Sequence, residues 1–204
     1  RLFIEKQNSK NKTIKVIPNW VSNISQNNFK NRYEKKILCV GRLESQKNFS
    51  TLLQNLKSAD FEIDIVGEGS EKSKLQELAS IENIKVNFLG NLDHKTLLNM
   101  YKNYKVFVTS STHEGNPKTV LEALAGGCCV IATDIESHNE IIKDKINGFL
   151  FKDFKYLKSM IQNVLYDNNL FNEITSQGHE TIINEHLIKV IQQKEVEVYQ
   201  KLIK

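Results

Sequence analysis

Short apolar runs alternate with amphipathic stretches along most of the chain. Runs rich in β-branched residues predict six strands, at Ile37–Val40, Phe61–Val66, Ile84–Leu89, Val106–Val108, Cys128–Ala132 and Phe149–Phe151. Between them, apolar residues recur with the period of a helix and predict four helices, around residues 49–56, 75–78, 97–101 and 120–124. This alternation predicts an α/β fold, a doubly wound parallel sheet with helices on both faces.

Residues that prefer helix ends agree with these helices. Ser70 and Asp93 stand where an N-cap is expected, and Pro117 suits a first helical turn. Gly126 and Gly127 predict the end of the helix that begins near Pro117. Further along, the pattern predicts three helices, at residues 153–167, 170–184 and 186–204.

The first 36 residues differ in composition from the rest. They are polar and rich in Asn and Lys, with one apolar island at residues 14–21 that is expected to add an edge strand. They hold nine Lys or Arg against two Glu, a net charge of +7, although the whole chain carries only +4. The remainder therefore carries −3, which argues against a nucleic-acid-binding domain, where a basic face is expected.

Composition and motifs exclude several classes of protein. The 204 residues are 40% hydrophobic, and no apolar run approaches the roughly 20 residues that cross a bilayer. Cys39, Cys128 and Cys129 fall in strand-like runs, which favours buried thiols in a reducing, cytoplasmic compartment over a reactive or metal site. The histidines are scattered, Gly67–Gly69 lacks the third glycine of a dinucleotide fingerprint, and no Walker A sequence is present. Neither a metal nor another cofactor is expected.

In an open parallel sheet, ligands bind beyond the carboxyl ends of the strands. Five loops follow the predicted strands, at residues 41–47, 67–70, 90–93, 110–118 and 133–137. The first holds Arg42, the only arginine after residue 36, and Lys47, and the two side chains suit a phosphate. Alternatively, Arg42 pairs with a surface carboxylate such as Glu44.

The fourth of these loops is the most specific. Glu114 precedes a helix start, Glu122 lies inside that helix, and Asn116 is placed to cap it. The amides of Lys118 and Thr119 would then face the crevice, where a helix N-terminus favours an anion. The two carboxylates would bracket a diphosphate, each accepting hydrogen bonds from sugar hydroxyls.

The same loop allows a simpler interpretation. Glu122 would be a solvated helix residue paired with Lys118 at i, i+4, and Glu114 an ordinary loop acid. The small Ala125 and Gly126, one turn beyond Glu122, favour the binding interpretation because they leave room for a ribose. The neighbouring His113 is expected to be an exposed loop histidine.

Together these residues resemble the C-terminal, donor-binding half of the GT-B glycosyltransferases, specifically the large retaining family 4 (glycosyl transferases group 1). The resemblance covers nearly the whole chain and implies a Rossmann-like sheet with C-terminal helices. It is carried by ordered motifs at Val16–Asn19, Val40–Leu43 with Lys47, Val66–Gly69, Phe88–Gly90 and Glu114–Glu122 with the following Ala123–Gly127.

The resemblance implies a role for each matching residue. Arg42 and Lys47 would hold the donor diphosphate and, helped by main-chain amides, stabilise the departing nucleotide diphosphate, and these two residues and Glu114 would be the catalytic residues. Glu114 would bind hydroxyls of the transferred sugar, Glu122 those of the ribose, and residues 89–92 the edge of the base. The other donor-binding residues implied by the match are Gly41, Gly67, Leu89, Gly90, Asn91, Leu92, Gly115, Asn116, Pro117, Lys118 and Thr119.

The resemblance also implies a domain organisation. Residues 1–36 would be an interdomain linker or edge segment, and residues 37–185 the nucleotide-sugar donor-binding domain. Residues 186–204 would form a helix that crosses to a missing N-terminal acceptor domain. That domain would be the partner of this chain and would bring it into peripheral contact with the inner face of the membrane; no nucleic acid is expected as a partner.

The expected function is transfer, with retention, of a hexose or N-acetylhexosamine from a UDP-sugar to a glycan or lipid-linked acceptor, the fragment alone being inactive. Trp20 and Asn48 depart from the family pattern, which has glycine there, and Asn116–Pro117 replaces the commoner Phe-Gly. Two other functions stay open. One is a nucleotide-sugar 2-epimerase on the same architecture, and the other is a non-catalytic domain that binds nucleotides or an anionic surface.

Overall fold

A computed structural model describes residues 17–22, 24 and 31–202. The strands within these residues are β1 (Tyr33–Val40), β2 (Glu62–Val66), β3 (Val86–Gly90), β4 (Tyr104–Thr109), β5 (Cys129–Thr133) and β6 (Phe149–Phe151). The helices are α1 (Phe49–Asn55), α2 (Lys72–Ile81), α3 (His94–Tyr101), α4 (Lys118–Ala125), α5 (Glu136–Asn139), α6 (Leu157–Tyr166), α7 (Asn168–Thr181) and α8 (Ile188–Leu202). Short 3-10 turns lie at Ser45–Lys47 and Phe154–Tyr156, and a π-helical turn lies at Ile182–His186.

The six strands form one sheet in the order β3-β2-β1-β4-β5-β6, and every pair of neighbours is parallel. This confirms the predicted Rossmann-like, doubly wound sheet. The chain builds outward from β1 to β3 and then returns to place β4 on the other side of β1. The strand order therefore reverses between β1 and β4, which is where ligands bind in such sheets.

Helices cover both faces of the sheet, and each face has its own core. Side chains of α1, α2, α6 and α7 pack against one face, where Cys39 is fully buried. Side chains of α3 and α4 pack against the other face, where its neighbour Leu38 is fully buried. All six residues of β4 are buried, as expected for a central strand covered on both sides. No described helix is long and apolar enough to span a membrane.

The N-terminal segment joins this fold more closely than its composition predicted. β1 begins at Tyr33, so the last four residues of the expected linker segment 1–36 belong to the sheet. Arg32 is buried, and its guanidinium donates to the carbonyls of Tyr101 (2.9 Å), Tyr104 (2.7 Å) and Gly126 (2.7 Å). Tyr101 and Gly126 end α3 and α4, where the helix dipole favours a cation. The division into three segments is otherwise still a prediction.

The apolar island does not form the expected edge strand within the described residues. Residues 17–20 are irregular, and Val21 makes a single parallel bridge with Leu187. Residues 14–16 lie outside the described part of the chain. The bridge ties the segment before β1 to the start of α8.

Two of the predicted N-caps are wrong. The hydroxyl of Ser70 donates to Glu44 at 2.8 Å instead of capping α2. The N-cap of α4 is Pro117 rather than Asn116, and no side chain caps that helix. The predicted N-cap at Asp93 is confirmed, because its carboxylate accepts a hydrogen bond at 3.0 Å from the amide three residues later.

The end of α4 follows the prediction. Gly127 has a φ of 78°, in the left-handed region that glycine adopts without strain. The amides of Gly127 and Cys128 donate to the carbonyls of Leu124 and Ala123, each at 2.9 Å, which is a Schellman motif. This sharp ending lets the chain enter β5 immediately.

Candidate active site

The loops that follow β1 and β4 meet at the reversal of the strand order. The Thr112 amide donates to the Gln46 carbonyl at 2.9 Å, and the Gln46 side chain donates to the carbonyl of His113 at 2.8 Å. The hydroxyl of Ser110 donates to the Lys47 carbonyl at 2.6 Å. The first and fourth of the predicted loops therefore form one rigid junction, with His113 exposed on it as expected.

Lys47 and Glu114 form an ion pair at this junction. The Lys47 ammonium and the hydroxyl of Ser111, at 2.6 Å, both contact Oε1 of Glu114. Burial alone raises the pKa of Glu114, but the hydrogen bonds from Lys47 and Ser111 outweigh burial and hold this pKa below its ordinary value. Glu114 is therefore an anion at neutral pH, and its Oε2 accepts no hydrogen bond from the residues described.

Arg42 lies exposed at the carboxyl end of β1 and forms no ion pair within the described residues. Glu44, its alternative partner from the sequence, instead accepts hydrogen bonds from the amide (3.0 Å) and the hydroxyl (2.8 Å) of Ser70. These bonds, and to a smaller extent the charge of Arg42, lower the pKa of Glu44. The guanidinium of Arg42 is thus available to a ligand beside the junction.

Two predicted donor-binding glycines hold neighbouring loops together. The Gly41 amide donates to the Val66 carbonyl at 3.0 Å, and the Gly67 amide donates to the Gly90 carbonyl at 2.8 Å. Gly67 has a φ of 141°, and a Cβ there would lie 2.0 Å from the carbonyl oxygen of Gly41. Glycine is required at position 67 by this contact between loops, whether or not a ligand touches it.

Glu122 is buried, with its side chain only 6% exposed, in the middle of a helix whose residues 120–125 are all buried. Its Oε1 accepts a hydrogen bond from Nε2 of His94 at 2.8 Å, whereas the Lys118 ammonium is 4.0 Å away. The interpretation of Glu122 as a solvated residue is therefore wrong, although its i, i+4 ion pair with Lys118 is present at the limiting distance of 4.0 Å. Ala125 and Gly126 line a cavity of about 370 Å³ together with Glu122 and His94.

The first turn of α4 leaves one amide without an acceptor among the described residues. The Lys118 amide, expected to face an anion, donates to the Asn116 carbonyl at 2.9 Å instead. The Thr119 amide donates to no protein acceptor within the described residues. Gly115 has open space around it, since a Cβ there would meet no atom within 4 Å.

The segment expected to contact the base, residues 89–92, covers the end of β3 and the start of the loop to α3. Leu89 is 39% exposed, Asn91 is exposed, and Leu92 packs against the core beneath α3 and α4. Gly90 has a φ of 69°, which turns the chain toward α3. The loop leads directly into His94, the first residue of α3.

Three side chains of the site were not singled out in the sequence: Ser111, His94 and His138. His138 is fully buried, and its Nδ1–H donates at 2.8 Å to the Thr133 carbonyl. The hydroxyl of Thr133 in turn donates at 2.6 Å to the carbonyl of Ser111. Burial lowers the pKa of His138, so it stays neutral. Ser111 contacts Glu114 three residues later and His138 contacts Thr133 five residues earlier, whereas His94 meets Glu122 on another helix.

Asn48 and Trp20, the two positions where the family pattern has glycine, differ in backbone conformation. Asn48 has a φ of 54°, a left-handed conformation that glycine also adopts and that asparagine tolerates better than most residues. Trp20 does not adopt a positive φ; its side chain is 39% exposed, and the Lys118 ammonium lies 5.8 Å from its ring centroid. Among the described residues, no group of three His, Cys, Asp or Glu side chains could hold a metal ion.

Known proteins resemble this chain in sequence. The family model described as Glycosyl transferases group 1 matches residues 21–181. Over 139 residues, the chain is 33% identical to the UDP-N-acetylglucosamine–peptide N-acetylglucosaminyltransferase GtfA subunit of Streptococcus agalactiae, covering 64% of this chain and 27% of that protein. Over 180 residues, it is 27% identical to a Campylobacter jejuni α-1,4-N-acetyl-D-galactosaminyltransferase named for a diNAcBac-PP-undecaprenol-linked glycan, covering 83% of this chain and 50% of that protein.

A solved structure shows the same fold. Staphylococcus aureus TarM, in complex with Fondaparinux, alpha-GlcNAc-glycerol and UDP, has a TM-score of 0.86 and 24% identity, covering 98% of this chain and 42% of that one. The chain thus spans between about a quarter and a half of the length of these three proteins.

Proposed function

Because the chain belongs to the glycosyl transferases group 1 family, we propose that it forms the donor-binding part of a retaining glycosyltransferase. Its donor is a UDP-linked hexose or N-acetylhexosamine. The observation that carries this proposal is the pair of carboxylates, Glu114 and Glu122, each fixed by a contact to another element and lying in sequence before and after the free amide of Thr119. In this proposal a diphosphate binds at the cations and the amide, and each carboxylate accepts hydroxyls of one of the two attached sugars.

Each group has a task in binding. Arg42 and the Thr119 amide bind the diphosphate, and Lys47 adds positive charge next to it. Oε2 of Glu114 accepts a hydroxyl of the transferred sugar, and Glu122 accepts a hydroxyl of the ribose. The opposite placement, with the sugar at Glu122, would put the transferred group farther from the cations that must stabilise its leaving group.

Catalysis in this proposal is electrostatic. The acceptor hydroxyl attacks the anomeric carbon from the face that UDP leaves, which retains the configuration, and UDP departs with the bonding electron pair. Arg42 and Lys47 stabilise the negative charge that develops on the departing diphosphate, and the acceptor proton passes to it. No step of this scheme requires a metal or another cofactor.

The relatives guide the remaining proposals. The names of the two relatives include UDP-N-acetylglucosamine and an undecaprenol-linked glycan, and TarM was solved with UDP. We therefore propose a glycan or lipid-linked acceptor for this chain, bound by an additional acceptor domain and presented at the cytoplasmic face of a membrane. The buried free thiols of Cys39, Cys128 and Cys129 suit a cytoplasmic location.

A panel of nucleotides tests the donor proposal. We expect UDP and a UDP-sugar to raise the melting temperature of the chain, because binding to the native state alone stabilises it. GDP and ADP, with their sugars, serve as matched competitors. A folded chain whose melting temperature responds to none of them would contradict the proposal. Salt-dependent binding to anionic vesicles without a response to nucleotides would favour the surface-binding alternative.

A further inference from the structure

Glu122 is held by α3, a helix that carries none of the family's paired acids. His94 begins α3 and Tyr101 ends it, seven residues later and so on the same face. Nε2 of His94 donates to Oε1 of Glu122 at 2.8 Å. The Tyr101 hydroxyl is buried beside the same carboxylate, and burial together with the charge of Glu122 raises the pKa of Tyr101.

Among these neighbours, His94 makes the strong contact. The ammonium of Lys118 is at the limit of an ion pair with Glu122, 4.0 Å away, whereas His94, although its side chain is 60% exposed, is within hydrogen-bond distance at 2.8 Å. That ammonium also lies over the ring of Trp20, at 5.8 Å, which draws it away from the carboxylate. The Tyr101 hydroxyl lies beside the carboxylate but outside ordinary hydrogen-bond geometry.

The contact leaves one carboxylate oxygen for a ligand. Oε1 of Glu122 is taken by His94, while Oε2 accepts no hydrogen bond from the described residues. A buried carboxylate with one oxygen fixed cannot rotate freely, so Oε2 keeps one direction. His94 also follows directly on the loop expected to contact the base, so it couples that loop to Glu122.

We propose that His94 is a positioning residue for nucleotide recognition: it orients Glu122 so that Oε2 accepts a ribose hydroxyl. This inference rests on the proposed function, because it assigns the ribose to Glu122. It goes beyond that function by placing part of the specificity for a ribonucleotide on α3. Without His94, the carboxylate would turn toward Lys118, and its hydrogen bond to the ribose would weaken.

Calorimetry with UDP, 2′-deoxy-UDP and 3′-deoxy-UDP tests the inference on the whole chain. We expect the wild type to bind UDP roughly tenfold more tightly than whichever deoxy analogue it binds more weakly. A tenfold factor corresponds to the loss of one charge-assisted hydrogen bond. In His94→Ala, the preference should fall to about twofold, because the carboxylate is no longer oriented. The affinity for that deoxy analogue should stay unchanged, since it does not use the lost bond.

Two further variants separate positioning from general damage. His94→Gln keeps an N–H donor and should restore most of the preference for UDP. Glu77→Ala, at an exposed position of α2 away from this carboxylate, should leave the preference intact. Melting temperatures of all variants show whether they are folded.

The possible failures are distinguishable. If wild type and His94→Ala discriminate equally between UDP and the deoxy analogues, the inference is wrong and the donor proposal stands. The same holds if His94→Ala loses affinity for UDP and for both analogues alike, which is the signature of structural damage. A wild-type chain that binds UDP without preferring it over either analogue also overturns the inference. Absence of UDP binding to the folded wild type contradicts the donor proposal and the inference together.

Discussion

Glu114 and Glu122 are eight positions apart in the sequence but are held by different kinds of group. A cation, Lys47, and a hydroxyl hold Glu114, whereas an imidazole, that of His94, holds Glu122. Each carboxylate keeps one oxygen that no described residue occupies. This difference in surroundings supports different tasks, with the Glu114 side of the site next to the cations.

Alanine variants of the two glutamates should therefore have different effects. Glu122→Ala should weaken the binding of UDP and of UDP-sugar to a similar extent, roughly tenfold, because both ligands contain the ribose. Glu114→Ala should weaken UDP-sugar by about the same factor and change the affinity for UDP far less. Calorimetry measures both affinities, and Glu77→Ala, at an exposed position of α2, is the matched control. Equal effects of both variants on both ligands would contradict the assignment of the ribose to Glu122 and of the transferred sugar to Glu114.

At the scale of elements, buried cations hold the ends of helices. Arg32 binds carbonyls at the ends of α3 and α4, and burial lowers the pKa of its guanidinium. Lys105 does the same for α6: its ammonium donates to the Leu165 carbonyl at 3.0 Å and to the side chain of Asn168 at 2.9 Å. The contacts of Arg32 fix α3 and α4 relative to each other, and these two helices carry His94 and Glu122.

Removing the charge of Arg32 should destabilise the fold. Arg32→Met keeps most of the side-chain volume but leaves three buried carbonyls without this donor, so we expect the free energy of unfolding to fall by about 3 kcal/mol. Urea denaturation measures the change, with the exposed Lys35→Met as control. A loss no larger than that of the control would mean that Arg32 does not anchor these helix ends.

The loops are a second feature at this scale, and two of their glycines should respond differently to alanine. Gly67→Ala forces a Cβ against the Gly41 carbonyl at a positive φ, so we expect a loss of about 2 kcal/mol or more in the free energy of unfolding. Gly115→Ala enters open space and should change stability by less than about 0.5 kcal/mol. The same denaturation experiment compares them. Similar losses for both would show that the loops around β1 and β2 do not pack as described.

The whole molecule is a sheet between two cores, and its cysteines lie in both. Cys39 and Cys129 belong to one core and Cys128 to the other. All three are buried and free, which confirms the predicted structural thiols. Burial raises the pKa of each thiol, that of Cys128 to about 12.

Thiol reactivity should therefore report the opening of the whole fold. We expect a thiol reagent to label none of the three cysteines in the native chain at neutral pH and all three in denaturant, because the reactive thiolate is both scarce and inaccessible. The number of labelled thiols is measured by mass spectrometry. Rapid labelling of one thiol in the native chain would show that the core containing it opens independently of the other.

The sequence by itself determined the features that depend on neighbouring residues. The order of strands and helices follows from the hydrophobic period. All six predicted strands are found: β6 has the predicted ends, and the ends of the other five lie within four residues of the predicted ones. The stop after α4 follows from Gly127, whose conformation is a local property. The spacing of Glu114 and Glu122 around a helix start is likewise legible in the sequence, although the cap on that helix was misassigned.

Only the tertiary structure decided which groups meet. The strand order brings the loop after β1 against the loop after β4, which pairs Lys47 with Glu114 across 67 positions. Packing of α3 against α4 pairs His94 with Glu122, and Arg32 reaches a carbonyl 94 positions away. Periodicity and capping report interactions within a few residues along the chain. Contacts between distant segments depend on how the helices pack on the two faces of the sheet. A local pattern of apolar and polar residues does not specify that packing.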